Sequence, residues 1–581
     1  MLELGQYTPP PCAFNRVTIN FTVTSAGRQF DRLGLMFLGD IEVFRTSTAE
    51  PTVNGIAWTY VKEMDQYDAL WKTQQKIIFD LGNLIDATYT AAFNTTLTAT
   101  FFTVPNTQPA ADSILPISAR LSSVNMPSAF QVPTQNASVS YQLPRNVERA
   151  VVSLSACGQS AEEFWYTNAL SSEVNTFTNT TGTLYGHSPF REVQLLIDGR
   201  LVGVAWPFPI IFTGGIVPGF WRPIVGIDAF DLREHEVDIT PWLPLLCDGN
   251  FHTFEIRVVG LDDDGAGHAS LSQAVGSYWV VTGKIFLYLD KAGSATTGIT
   301  SSINIPPPQI AVTSSISQNS TGANETLTYT TQVTRILAIT SLITTSSGMQ
   351  HVTWSQILAY TNYNTLTAQG LTQFTSQNTT GTDSSTTGYQ STYAYPLIVN
   401  SSFTPPDPIT SAFSISASLS RGLDLSVYGP SVFPSGLQSF NPNTTFTSTT
   451  STPGAYRPDV PHGFPAFNTS LLHTTQTGSA NYLSSPPSST SSGTTEQEFI
   501  FSGISLAPAG SDTVELYHRH VLAVNGSIRE DDEFLFGRTT PSTNIHVQTP
   551  DGGQGSGDAV FSIRSLLGRG PGKPKAGIWL D

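Results

Sequence analysis

The feature that most constrains this chain is a two-residue apolar period that recurs along much of its length. It runs through Arg16-Val-Thr-Ile-Asn-Phe-Thr-Val, Lys76-Ile-Ile-Phe, Thr96-Leu-Thr-Ala-Thr-Phe-Phe and Ser277-Tyr-Trp-Val-Val-Thr-Gly-Lys-Ile-Phe-Leu-Tyr-Leu, with Gly, Pro, Asn and Asp turns between. Successive side chains of a strand point to opposite faces, so this period marks strands with one buried face. Sustained helical periodicity is scarce. Short strands separated by turn residues predict antiparallel β-sandwiches. The best helical turns are short, around 65–71 and 240–246, where Met-Asp-Gln-Tyr and Asp-Ile-Thr-Pro set a cap-type residue ahead of an apolar run.

A chain of 581 residues is too long for one core, and roughly 150 residues per domain makes about three or four. Two passages, at about 14–104 and 148–291, share one grammar. Each has a strand ending near an acidic residue, a cluster of Trp, Gly and Pro, then an Asp-capped turn and further strands. We read residues 1–145 as a first sandwich with a Pro-containing bridging segment (105–147) that lends a strand to either side. Residues 146–291 form a second sandwich, and residues 292–581 a β-rich, Thr- and Ser-rich region with long loops. Tracts such as Ser484-Ser-Pro-Pro-Ser-Ser-Thr-Ser-Ser-Gly point to O-linked sugar or disorder.

Composition narrows the function classes. With 12% charged and 10% aromatic residues, disorder throughout is excluded, because disordered chains are charged and aromatic-poor. The net charge is −17 and no basic block occurs, so a nucleic-acid partner is not expected. The uncharged stretch 201–221 has the length of a membrane span but contains Pro207, Pro209, Pro218 and four Gly. In hydrocarbon each broken backbone hydrogen bond needs a substitute partner, so a buried, turn-rich strand pair is expected instead and no membrane. The start, MLELGQYTPPPC, carries no charged-then-apolar leader and reads as an already processed N-terminus.

Eleven Asn-x-Ser/Thr sequons, at Asn20, Asn94, Asn136, Asn179, Asn319, Asn324, Asn378, Asn400, Asn443, Asn468 and Asn525, fit a secreted glycoprotein. Three cysteines allow one disulfide and a leftover thiol; Cys157 with Cys247 is the expected pair, with Cys12 free or paired elsewhere.

The common catalytic motifs are missing: there is no phosphate-cradling Gly loop ending in Lys-Ser/Thr, no nucleophile elbow and no His-Glu-x-x-His. His518 and His520 share one face of a predicted strand, and two such His are more often structural than metal ligands. Asp262-Asp-Asp-Gly lacks alternating calcium-ligand spacing and reads as a solvated turn. No metal or cofactor is expected. What remains is carboxylate and aromatic chemistry. Gly27-Arg-Gln-Phe-Asp31-Arg32 leads into the apolar strand 33–38, followed by Asp40, Glu42, Arg45, Glu50, Asn54-Gly55 and Trp58. In the second domain Glu162-Glu163-Phe-Trp165-Tyr166-Thr-Asn168 sets acids beside aromatics, followed by Arg191-Glu192 and Phe220-Trp221-Arg222. Ring faces stack on the apolar faces of pyranoses while carboxylates and amides take hydroxyl hydrogen bonds, so a sugar cleft is one reading. Two aromatic sandwich cores with acidic rims, and a structural Asp31–Arg32 ion pair, are the other.

GRQFDR, DIEVFRTSTAEPT, NGIAW, Leu81-Gly82-Asn83, EEFWYTN, REVQLLIDG, PFPIIFTGGIVPGFWRPI and the stretch from Asp231-Leu to Thr240-Pro together resemble the acid peptide:N-glycosidases of plant and fungal type. The likeness covers roughly residues 8–291. It implies two adjoining jelly-roll sandwiches and a secreted enzyme acting on N-glycoproteins and N-glycopeptides. Such an enzyme cleaves the amide between the innermost N-acetylglucosamine and the asparagine side chain, releases a glycosylamine, leaves Asp, works in acid without a metal, and tolerates core fucose. The resemblance also implies Asp31 as the essential acid, with Phe30 where the bacterial relative carries Trp, Glu192 as the acid of the second domain, and Arg222 as the active-site arginine. Hydrolysis of a side-chain amide needs a base for water, donors for the oxyanion and a proton for the departing amine. The expected roles are Asp31 as base or water-positioning carboxylate, Glu192 supporting the water across the cleft, and Arg222 or Arg45 holding the carbonyl or a carboxylate. Trp58, Asn83, Trp165 and Trp221 would line the chitobiose subsites, with Arg32, Glu50 and Glu163 also touching substrate. Two close carboxylates share a proton, which suits work below neutrality. The alternatives are a jelly-roll lectin that binds N-glycans without turnover and an endo-type glycosidase.

Overall fold

The computed structural model describes residues 2–51, 54–103, 110–386, 389–428, 467–485, 488–505, 513–535 and 538–540. Among them the architecture is all-β, with every sheet antiparallel, as the two-residue period predicts. In the first part of the chain, Leu2–Tyr7, Gln75–Leu81, Leu33–Leu38 and Ile41–Ser47 pair in that order. Ile56–Glu63, Arg16–Ser25 and Asn94–Phe102 form a second sheet. Phe21 from the second sheet packs on Phe44 and Phe79 of the first, at ring separations of 6.0 and 5.1 Å, so the two apolar faces close on one core. The helical turns fall where expected, at Asp65–Trp71 and Thr240–Leu246, each a 3₁₀ turn running into one α turn.

A second pair of sheets follows. One runs Ala137–Tyr141, His252–Asp263, Glu192–Ile197, Arg200–Ala205, with Ala269–Ser272 at its side. The other runs His235–Asp238, Val147–Gln159, Tyr278–Leu289, Ser113–Ile117, with Phe130–Val132 at its side. The three strands between 113 and 141 therefore all pair with strands of this second unit. Tyr278–Leu289 is buried along nearly its whole length rather than alternately. One reason is that the strand also meets the first unit: Arg45 donates to Val280 O at 2.8 Å and Thr282 to Glu42 at 2.9 Å. The stretch 201–221 is a strand followed by an irregular, turn-rich segment, not a strand pair. No helix among the described residues is long and apolar enough to cross a membrane.

The last part departs from the short strands and long loops expected of it. Among the described residues, 297–540 contribute to a 12-stranded antiparallel sheet whose strands reach 22 residues, as in Asn324–Thr345. Burial in that strand alternates strictly along most of its length, so Thr328, Thr330, Thr334 and Thr340 face outward while Leu327, Tyr329, Leu337, Ile339 and Ile343 on the inner face are covered. β-branched Thr suits a pleated, half-buried surface, which explains how such polar tracts remain strands. The inner face lies on the second unit. Gln356 bridges both backbone groups of Val204, at 3.0 and 2.9 Å, extending the free edge of Arg200–Ala205. Asn362 donates to Tyr166 O at 2.9 Å. Residues 484–485 and 488–493 of the Ser-rich tract lie on the paired strands Phe467–Ser485 and Ser488–Ser505, and residues 486 and 487 lie outside the described residues.

The cysteine pairing is a correction. Cys157 is buried with its Sγ beside Arg45 Nη1, Cys247 is buried beside Pro144 O and Val147 O, and Cys12 is exposed; all three are free. Asn20, Asn94, Asn136, Asn179, Asn378, Asn400 and Asn525 are exposed, and Asn319 and Asn324 half-buried. Asn443 lies outside the described residues, and Asn468 stands on the strand Phe467–Ser485.

Candidate active site

The loop 26–32 joins Arg16–Ser25 to Leu33–Leu38 and is held rigidly on both sides of Asp31. Gln29, almost fully buried, donates from Nε2 to Leu84 O at 2.8 Å and Ala91 O at 3.2 Å. Its Oε1 accepts from the Phe30 backbone and from Arg32. Arg32 N donates to Thr48 Oγ1 at 2.8 Å and its carbonyl accepts from Thr48 N. Asp31 is left half-buried at the seam between the first two units.

Glu50 follows the strand Ile41–Ser47. Its Oε2 receives a 3.1 Å hydrogen bond from Arg222 Nη2, an ion pair between the two units. A β-carbon on Gly214 would lie 2.9 Å from that oxygen, and Gly214 has φ +95°, so both space and backbone require glycine behind Glu50. Backbone bonds from Ser47 N to Ala229 O (2.8 Å) and Leu232 N to Arg45 O (2.9 Å) stitch the same seam.

The adjacent acids Glu162 and Glu163 have separate fates. Glu162 is fully buried and accepts from Arg191 (2.5 and 2.7 Å), Trp279 Nε1 (2.8 Å) and Gly276 N (2.7 Å), which hold its carboxyl below the ordinary range despite burial. With that anchor set by the 3₁₀ turn Ser160–Glu162, Glu163 is left half-buried on the side of Asp31.

The electrostatics follow from this gathering. Burial, then the charges of Glu163 and Glu50, push the Asp31 carboxyl up to about 8, against the opposing pull of its own backbone N–H and Arg32. Burial raises Glu163 to about 7. Glu50 is also raised by burial, with Arg222 and Arg28 opposing. Burial raises all three acids, and Asp31 also carries the charges of the other two, so it is the one held highest. The site therefore stores protons into the neutral range, with its cations beside Glu50.

The residues 2–306 match the family model "Peptide N-acetyl-beta-D-glucosaminyl asparaginase amidase A", and residues 328–397 match that of the PNGase A C-terminal domain. The first match spans more than half the chain. The chain belongs to this amidase family. Its relatives include the peptide-N4-(N-acetyl-beta-glucosaminyl)asparagine amidase A of Prunus dulcis, 32% identical over 420 residues, which covers 69% of this chain and 70% of that protein. Solved structures of PNGF-II in two space groups align at TM-scores of 0.32 and 0.30 with 12% and 13% identity, over 50% of this chain and 60% of theirs. Family membership makes the chain an enzyme of the amidase class, as the motif resemblance implied.

Within this family member the seam unites four of the residues singled out in the sequence: Asp31, Glu50, Glu163 and Arg222. Glu192 does not join them. It is fully enclosed, accepting from Arg335 Nη2 (2.9 Å), Trp206 Nε1 (2.9 Å) and Gln194 (2.8 Å), with Arg335 Nε in ion-pair contact at 2.8 Å, so its charge is consumed in fastening the C-terminal sheet to the second unit. Arg45 is likewise closed off against Glu42 and Val280 O. The expected aromatic subsites also need correcting. Trp58 stacks on Phe230 at 5.6 Å, Trp165 packs near Tyr166 and Tyr360, and Trp221 donates to Gly215 O at 2.7 Å; all three are core residues. Large rings offer the most apolar area to a core, which outweighs their use at a rim. Asn83 braces the Phe93 backbone through both ends of its amide (3.1 and 3.4 Å). Arg32 stays half-buried, 5.4 Å over the Tyr89 ring.

Sequence reasoning missed Gly214, for which the Gly214-Gly215 pair was the available signal, and Tyr89. Phe30, 45% exposed, meets Tyr89 edge-on at 5.3 Å, giving an open aromatic ledge beside Asp31. His518 stands against Glu498 and Glu515, and His520 against Glu496 and Glu530. Asp262 and Asp263 brace Ser171, Ser172 and His187, and Asp264 caps a turn closed by His268.

Proposed function

We propose that this chain hydrolyses the amide between the innermost N-acetylglucosamine of an N-glycan and its asparagine. In this reading it is secreted or extracellular and works in acid, without a metal, on N-glycoproteins and N-glycopeptides with or without core fucose, leaving Asp on the peptide and a glycosylamine. The single observation that carries this reading is the convergence of Asp31, Glu50 and Glu163 beside Arg222 at one seam. Amide hydrolysis needs a carboxylate to take a proton from water and a carboxylic acid to give one to the departing nitrogen. Glu50, beside two cations, is the member best able to stay ionised, while Asp31 and Glu163 keep protons. Asp31 thus suits delivery of a proton to the nitrogen, with Glu50 or the shared cluster receiving the proton of water. This moves Asp31 from the base of the sequence reading to the acid side of the same cluster. Arg222 donors would offset the negative charge that grows on the amide oxygen. The Phe30–Tyr89 ledge offers a ring face for the sugar. Surface sequons such as Asn20, Asn94 and Asn378 support an extracellular setting.

The deciding experiment is mass spectrometry of two defined N-glycopeptides, with and without core fucose, incubated with wild type or Asp31→Asn in oxygen-18 water at acidic pH with EDTA. An amidase yields peptide with labelled Asp and free glycan only with wild type. Peptide carrying one residual N-acetylglucosamine would instead mean a glycosidase. An unaltered but retained glycopeptide would mean a lectin.

A further inference from the structure

The segment that carries Arg222 runs between the strands Arg200–Ala205 and His235–Asp238, and among the described residues its only regular element is the 3₁₀ turn Pro218–Phe220. Without a ladder, its buried carbonyls need donors from elsewhere. Three come from the C-terminal sheet. Thr495 Oγ1 donates to Phe220 O, Gln476 Nε2 to Val225 O at 3.0 Å, and Arg421 Nη2 to Pro209 O at 3.0 Å. All three side chains are at most 3% exposed. The backbones are in direct contact as well. A β-carbon on Gly219 would lie 2.5 Å from Ser492 O, one on Gly493 2.8 Å from Gly219 O, and one on Gly478 2.4 Å from Thr494 O and 3.1 Å from Phe220. Ile224 packs on Val521 and Ala523 of the same sheet. Phe220 and Val225 bracket Arg222, whose carboxylate partner is Glu50.

We propose that Thr495 and Gln476 are positioning residues for the amidase reaction, holding the backbone on both sides of Arg222 and so setting the Arg222–Glu50 pair from the C-terminal sheet. This rests on the site reading above. Arg421 extends the same grip. Its guanidinium lies 4.7 Å over Phe208 and exerts its charge on Tyr166, in the stretch that also carries Glu163. The sheet thereby reaches both flanks of the seam contributed by the second unit.

The test compares Thr495→Val, which keeps shape and loses the donor, with Thr495→Ser, which keeps it, and with Gln476→Leu. Near-UV circular dichroism serves as the check on folding. Displacing a positioned group typically costs on the order of 10-fold or more in rate. We expect kcat to fall about 10-fold in Thr495→Val and Gln476→Leu with KM changed by less than about twofold, and to recover in Thr495→Ser. The limb of the pH–kcat profile set by Glu50 should move to higher pH in both, in the direction expected for Arg222→Ala, because Glu50 loses its cation. A merely structural role would lower the melting temperature and leave kcat and that limb in place. If Thr495→Val does not fold, Gln476→Leu carries the test. Glu50→Gln and Arg222→Ala are assayed alongside: if these keep wild-type kcat, the site reading fails and takes this inference with it. If they lose activity while Thr495→Val and Gln476→Leu keep the wild-type kcat and pH profile, only the positioning role is overturned.

Discussion

Arg222 Nη2 and Glu50 Oε2 meet at 3.1 Å across the seam of two sandwiches, each residue standing outside any strand and 172 positions from the other. The contact gives a partly buried carboxylate a cation, while burial raises its neighbours Asp31 and Glu163 to about 8 and about 7.

Removing the cation should be felt first at Glu50. Arg222→Ala is expected to raise the Glu50 carboxyl further, since Arg222 is the largest of the influences that oppose its burial. Loss of a hydrogen bond to a charged group costs about 2 kcal/mol. Carbon-13 NMR titration of labelled Glu side chains reads the shift, and the alkaline displacement of the ionisation checks its sign.

Asp31→Asn keeps the size and the polar contacts of the side chain and removes the proton exchange. Turnover on an N-glycopeptide should fall by about 10² to 10⁴, with the unfolding midpoint at pH 8 unchanged or higher, because a buried negative charge beside Glu163 and Glu50 is gone. Equal activity in the variant, measured by release of labelled glycan, would remove Asp31 from the mechanism.

Stability should decline as pH rises from about 4 to about 8. Asp31 is raised to about 8 and Glu163, Glu236 and Asp383 to about 7, against unfolded values near 4. Between those limits the folded chain binds more protons than the unfolded chain, so raising pH favours unfolding, and the effect is complete above the folded values. Chemical denaturation at pH 5 and pH 8 checks this: a midpoint higher at pH 8 would contradict the buried acids.

Glu192 and Arg335 lie in a closed pair, both almost fully buried. Breaking it by Arg335→Leu should destabilise the fold by about 3–5 kcal/mol. In the surviving folded fraction, kcat per active molecule should be close to wild type. A Glu192→Gln variant that unfolds normally yet loses turnover a hundredfold would return Glu192 to the catalytic group.

Three free thiols make the melting temperature insensitive to reductant. Alkylation under native conditions should label Cys12 alone, and alkylation in denaturant all three, read by intact-mass shift.

Much of the fold was legible because the two-residue period is a local consequence of strand geometry. It located the strands through 16–25, 96–102 and 278–289, and the turn chemistry located the helical turns at Asp65–Trp71 and Thr240–Leu246. The residue types of the candidate site were legible too: Asp31, Glu50, Glu163 and Arg222 were all singled out in the sequence. Their sorting was not. Glu162 and Glu163 are neighbours of one type, and only the arrival of Arg191, Trp279 and Gly276 makes the first an anchor and leaves the second at the seam. Glu192 followed a motif that looked equally functional, yet Arg335, 143 residues away, turns it into a structural ion pair. Trp58 and Trp221 were ambiguous because a ring serves a core or a sugar equally well until its faces are covered.

By itself, then, the sequence determined the all-β class, several strands before residue 291, the chemical types available and, through its motifs, the amidase family. Only the tertiary structure decided which carboxylates share a site, that the cysteines stand apart, and that the Thr-rich end is a long-stranded sheet gripping the Arg222 segment. The physical reason is range. Side-chain alternation and turn preference are written within a few residues, whereas burial, ion pairing and shared protonation depend on partners that only the folded chain brings together.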